Sequence, residues 1–137
     1  MSLIYHLIVA LILNGSVFQN IGQNNYLTAG KKNYETWIAA KETNSILSAI
    51  GFFRNNTKDV IDINYFLSAE RYSVMGSSLI NQKGAVIIKS NETGELSKLV
   101  INTTPNASYI IRLTVSDDNN IIAKDSILYN WNNKKEF

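Results

Sequence analysis

The chain has 137 residues, an apolar fraction of 45% and a formal net charge of +2. That is enough for one domain with its own core, and too little charge to gather nucleic acid or anionic lipid. There is no cysteine and one histidine, His6, so thiol chemistry and disulfide staples are excluded, and so are histidine-dependent triads and zinc sites in any domain without residue 6.

Leu3 to Leu13 is apolar except for His6 and is followed by Asn14-Gly15-Ser16. The run is well short of the roughly 20 residues that span a bilayer and fits the hydrophobic region of a secretory signal. A signal peptide is therefore expected over 1–18, with export to the periplasm and no membrane association once it is removed. The stretch lacks the usual leading Lys or Arg, and the alternative is a hydrophobic first strand. The polar, Gly/Asn-rich segment 19–32 reads as a linker and favours the signal.

From residue 33 the pattern is strand after strand. Tyr34 to Glu42 and Ile46 to Phe53 are separated by a Thr43-Asn44-Ser45 turn. After Asn55-Asn56-Thr57-Lys58, the residues Ile61, Ile63, Tyr65 and Leu67 alternate with Asp62, Asn64, Phe66 and Ser68, the period-two signature of a half-buried strand. Tyr72 to Asn81 reads as a polar edge strand bulged at Gly76. Gly84 to Lys89 reads as a short strand, Asn91 to Gly94 as a turn, and Leu96 to Thr103 as a further strand.

The clearest signal comes last. Tyr109, Ile111, Leu113 and Val115 share one face of a strand, opposite Ile110, Arg112, Thr114 and Ser116. Asp117-Asp118-Asn119-Asn120 turns the chain into a partner strand, Ile121 to Ile127, because Asp and Asn tolerate the positive φ of a tight reversal. Short strands at this spacing predict an all-β fold: an immunoglobulin-like antiparallel β-sandwich of about seven strands over 33–130, with a polar tail at 131–137.

Catalytic groups are scarce. The carboxylate pairs Asp59/Asp62 and Asp117/Asp118 fall at a strand start and in a tight turn, where solvated turn residues are expected. The Asp117–Asn120 run lacks the spacing of a calcium loop, and no glycine-rich phosphate loop is present. Neither an enzyme nor a cofactor is expected. Asn-x-Ser/Thr sequons begin at Asn14, Asn55, Asn91, Asn102 and Asn106. So asparagine-rich a chain yields about three by chance, so they carry no signal.

The layout resembles a particular family. Trp37-Ile38-Ala39-Ala40-Lys41-Glu42 leads into an apolar strand ending Phe53-Arg54-Asn55. Gly76-Ser77-Ser78 follows with Gln82-Lys83-Gly84, then Leu99-Val100-Ile101 and Tyr109 to Asp117. Over residues 34 to 129 this is similar to the curli-assembly immunoglobulin-like proteins of the CsgC/CsgH type. The resemblance implies a small periplasmic β-sandwich that keeps a curli-type amyloid subunit from polymerising before secretion. It also implies a monomer whose partners are that subunit and, further, other curli secretion components. Some members carry a closely spaced cysteine pair; this chain has none, so no thiol-dependent role carries over.

Under that resemblance the expected client-binding residues are cationic: Arg71, Lys83, Lys89 and Lys98 around the polar edge segment, and Arg112 and Lys124 on the last hairpin. Solvated strand-face charges are the plainer reading of each. The alternative function is an extracellular carbohydrate-binding or adhesive module. It would use Tyr34, Trp37, Phe66 and Trp131 as a stacking platform, and a clustered pair of exposed aromatics on one face would favour it.

Overall fold

In a computed structural model, the structure describes residues 18–20 and 32–130. The expected signal peptide before Phe18, most of the linker, the 131–137 tail, His6, Asn14 and Trp131 lie outside the described residues. The described chain is all-β and antiparallel. Strands β2 (Tyr34–Thr43), β3 (Ile46–Asn55) and β6 (Thr93–Asn102) form one sheet in the order β2-β3-β6. Strands β1 (Phe18–Asn20), β4 (Ile61–Ser73), β5 (Gly76–Ile88), β7 (Ser108–Asp117) and β8 (Asn120–Asn130) form the other, in the order β1-β8-β7-β4-β5. Seven strands are ten residues or longer; β1 is a three-residue addition to the β8 edge. It falls where the expected signal peptide meets the expected linker.

The two sheets share one core, and alternation decides which side chains enter it. β3 contributes Leu47, Ala49 and Phe53, and β7 contributes Tyr109, Ile111, Leu113 and Val115, all but one of these fully enclosed. Ile63 and Leu67 from β4 and Ile127 and Tyr129 from β8 complete its centre. The inward face expected of the last hairpin is thus the inward face found.

Turn chemistry follows the sequence at two hairpins. Asn44 and Ser45 both have positive φ, 51° and 62°, as a two-residue type I′ turn requires. Asp118 has φ 52° in the β7–β8 turn. A third hairpin departs from expectation. The predicted strands at Tyr72–Asn81 and Gly84–Lys89 are not separate: β4 runs on to Ser73, Val74-Met75 reverses the chain, and Gly76–Ile88 is one strand paired along its whole length. Gly76 makes no bulge inside a strand. Its φ of +119° closes the turn, a conformation that glycine adopts without strain. The register shifts lie elsewhere, at Gly51/Phe52 and Val115/Ser116.

Two buried polar side chains fasten the assembly. Asp125 on β8 accepts the Ile38 N–H of β2 at 2.9 Å and the Ser126 N–H at 2.9 Å, bridging the sheets. Asn55, fully buried, donates to the carbonyls of Asp59, Ile88 and Lys89 and accepts from the Thr57 N–H. It organises the loop entering β4. As a buried side chain it is no glycan acceptor.

Candidate functional site

The cross-strand register fixes where each candidate cation stands. In the large sheet Lys83 pairs with Phe66, Phe66 with Thr114, and Thr114 with Lys124. These four residues therefore form one row across β5, β4, β7 and β8 on the face turned away from the core. The adjacent row is Asn81, Ser68, Arg112 and Ser126. Lys83, Arg112 and Lys124 are thus brought together on one exposed face, around Phe66, which is 42% exposed.

The other three are dispersed. Lys98 is exposed on the outer face of the small sheet, paired with Ile50. Lys89 is exposed just beyond β5. Arg71 pairs with the inward-facing Tyr109, so it sits on the core side of β4, opposite in sense to Arg112. The four basic residues between Arg71 and Lys98 are therefore not one patch.

Arg112 is also engaged. Its guanidinium pairs with the Glu70 carboxylate, which accepts a further hydrogen bond from the Tyr72 hydroxyl at 2.9 Å. The bond from Arg112, then that from Tyr72, holds the Glu70 carboxyl below its ordinary range; Glu70 in turn pushes the Tyr72 hydroxyl up. Among the described residues this exposed cluster leaves Lys83 and Lys124 as the cations of the face without an ion pair; the exposed carboxylate of Asp62 shares the face, four residues along β4 from Phe66.

Two lysines have a second property. β5 and β6 are the outer strands of their sheets on one side of the molecule, and Lys83 and Lys98 stand near the middle of each. A charge at mid-strand discourages another chain from pairing with an open edge.

Among the described residues the aromatics do not form a platform. Trp37 and its β2 neighbours Thr36 and Ile38 point to opposite sides of the strand, and all three are buried. Thr36 and Ile38 face inward, whereas Trp37 is only 5% exposed and stacks on Phe52 at 5.5 Å. Tyr34 stacks on Phe53 at 5.8 Å. Phe66 and Tyr72 are exposed on one face but stand six residues apart, about 20 Å along the strand.

A groove of about 470 Å³ crosses the outer side of β2 and β3, its wall formed mainly by Ala39, Ile46, Ser48 and Ile50, with Lys41 its one charged lining residue. No carboxylate or histidine lines it. Among the described residues no group of three or more His, Cys, Asp or Glu is placed to hold a metal ion, and no helix is long and apolar enough to cross a membrane. The described residues present no catalytic constellation.

No family model matches the chain, and no curated protein matches it. Its fold recurs among solved structures. It is similar to the E. coli curli protein CsgC, with a TM-score of 0.56 and 17% identity over 68% of this chain and 96% of that one. It is also similar to R. palustris CsgH, with a TM-score of 0.53 and 19% identity over 76% of this chain and 99% of that one.

Proposed function

We propose that this protein is an exported, immunoglobulin-like β-sandwich that binds a curli-type amyloid subunit transiently in the periplasm and prevents its premature polymerisation, without catalysis. The observation that carries the reading is the shared fold with the curli protein CsgC along nearly the whole of that chain. The hydroxyl of Tyr109, near the start of β7, accepts the Thr104 N–H at 2.9 Å. A tyrosine bonded to backbone a few residues upstream at this corner supports the immunoglobulin-like assignment.

The contact surface in this reading is the outer face of the large sheet. Lys83 and Lys124 supply charge and Phe66 a limited apolar contact. Such a face suits brief electrostatic encounters with an acidic, Gln/Asn-rich client more than tight burial. The mid-strand lysines Lys83 and Lys98 keep the protein's own edges from being recruited into the fibre it restrains. The protein acts as a monomer, freed of its apolar N-terminus by cleavage between Ser16 and Gly22.

Thioflavin fluorescence tests the activity. A one-to-one mixture with the cognate subunit should lengthen the lag before fibre growth, and an unchanged lag would overturn the proposal. Intact-mass measurement on protein from the native envelope tests export; cytosolic protein retaining Met1 would overturn the periplasmic assignment.

A further inference from the structure

β4 and β5 run on beyond the cover that β6 gives them, leaving a cleft of about 120 Å³ between the sheets on their open side. Ala69, Ile80 and Ile101 form apolar walls, and Tyr109 closes one side with its hydroxyl already engaged by Thr104. Its polar side chains are Arg71 and Ser78; Asn102 borders it at the end of β6, with its side chain alternating to the outer face. The Arg71 Nε is fully buried and has no hydrogen-bond partner. The neighbouring acid, Glu70, lies on the other face of β4 and is held by Arg112 and Tyr72. No carboxylate lines the cleft.

A desolvated guanidinium donor without an acceptor is costly, and few survive in folded proteins without a partner that completes them. Here the would-be partner has a defined chemistry. One positive charge calls for one negative charge, and a planar two-oxygen group matches the fork of a guanidinium. The Ser78 hydroxyl lies across the β4–β5 pair from Arg71, on the same inward side, and can add a donor. The apolar walls suit a short alkyl stem, and the volume is far below the several hundred Å³ of a pocket for a sugar or nucleotide.

We propose that this cleft is a carboxylate-binding site in which Arg71 is the principal donor, with Ser78 beside it. The carboxylate belongs either to a small organic acid or to an acidic side chain of a polypeptide laid along the open side of β5 and β6. The site stands on the cleft and does not depend on the amyloid-subunit reading.

The test is an NMR titration of the full chain, uniformly labelled with nitrogen-15, at constant ionic strength. The probes are acetate, chloride as reference, and a short extended peptide carrying one glutamate beside its glutamine counterpart. Saturable shifts are expected at the amides of Ser78, Ile80 and Asn102 with acetate or the glutamate peptide, and not with chloride or the glutamine peptide. Arg71→Gln should weaken binding about tenfold or more, the value of losing a charge-assisted bond, and Arg112→Gln should leave it unchanged. Ile80→Glu, which places a carboxylate at the mouth of the cleft, should abolish the acetate response and covers the case in which Arg71→Gln does not fold. Preference for acetate identifies a small-acid site; tighter binding of the glutamate peptide identifies a polypeptide ligand. Shifts that do not saturate mean that water alone fills the cleft, and saturable shifts that survive Arg71→Gln mean that Arg71 is not the donor; either result overturns the proposal.

Discussion

Leu113 on β7 packs directly over Gly51 on β3: a Cβ at position 51 would lie 3.0 Å from Leu113 Cδ2. The two sheets come close at this point because one contributes a full side chain and the other none. Leu113 is fully buried there.

Truncating Leu113 to Ala should cost on the order of 2–5 kcal/mol, since the rigid surroundings collapse only partly into the space left. Lys124→Ala, on the opposite face of the same hairpin, should change stability by about 0.5 kcal/mol or less. Denaturant melts of both variants check the ranking. The reverse order would mean that the two faces of β7 and β8 are assigned the wrong way round.

The hairpin was legible because a strict period of two, bounded by an Asp/Asn turn, admits one arrangement. The β4–β5 hairpin was not, because Val74 and Met75 stand at its tip almost fully exposed and carry no turn chemistry. That failure hid the orientation of Arg71, which the sequence had offered as an outward-facing cation. Ending the third strand at Ser68 severs Arg71 from the alternation of Leu67 and Ala69, which alone shows that it faces inward. Buried polar residues were equally obscure: Asp125 lies between Lys124 and Ser126, and nothing local announces that its acceptor role is to a backbone amide 87 residues away.

That amide makes a second prediction. Asp125→Ala removes the acceptor for the buried Ile38 N–H and should destabilise the fold by about 1–3 kcal/mol, the usual consequence of stranding a buried donor. Asp125→Asn keeps an oxygen within reach and should cost less. Hydrogen exchange at the Ile38 amide separates the cases: markedly faster in Asp125→Ala, and close to that of the unaltered protein in Asp125→Asn.

Tyr129 provides a pH signature. Burial, then the nearby Glu42 carboxylate and Tyr109, pushes its hydroxyl from the ordinary value of 10.0 up to about 12. The folded state therefore holds this proton more tightly than the unfolded chain. The resulting stabilisation is fully present below pH 10 and is lost as pH rises toward about 12. Unfolding midpoints measured across that window should fall more steeply for the unaltered protein than for Tyr129→Phe, which has no proton to lose. Parallel slopes would assign the alkaline loss to other groups.

The last prediction separates the two outer faces. If the client meets Lys83, Arg112 and Lys124, then reversing all three to Glu should shorten the lag that the protein imposes on fibre growth, with the melting curve lowered only modestly: all three are exposed, and the one pairing lost is the surface contact of Arg112 with Glu70. Lys98→Glu, on the outer face of the small sheet, should leave the lag as it was. Raising salt from about 50 to about 500 mM cuts the screening length from roughly 14 to roughly 4 Å and should weaken the unaltered protein in the same direction as the triple reversal. The triple variant has little attraction left to screen and should respond less to salt. A lag that depends on Lys98 as strongly as on the three would mean that net charge, and not this face, governs the encounter. A lag that ignores both salt and charge reversal would instead turn attention from the outer face to strand pairing at the open β5 and β6 edges.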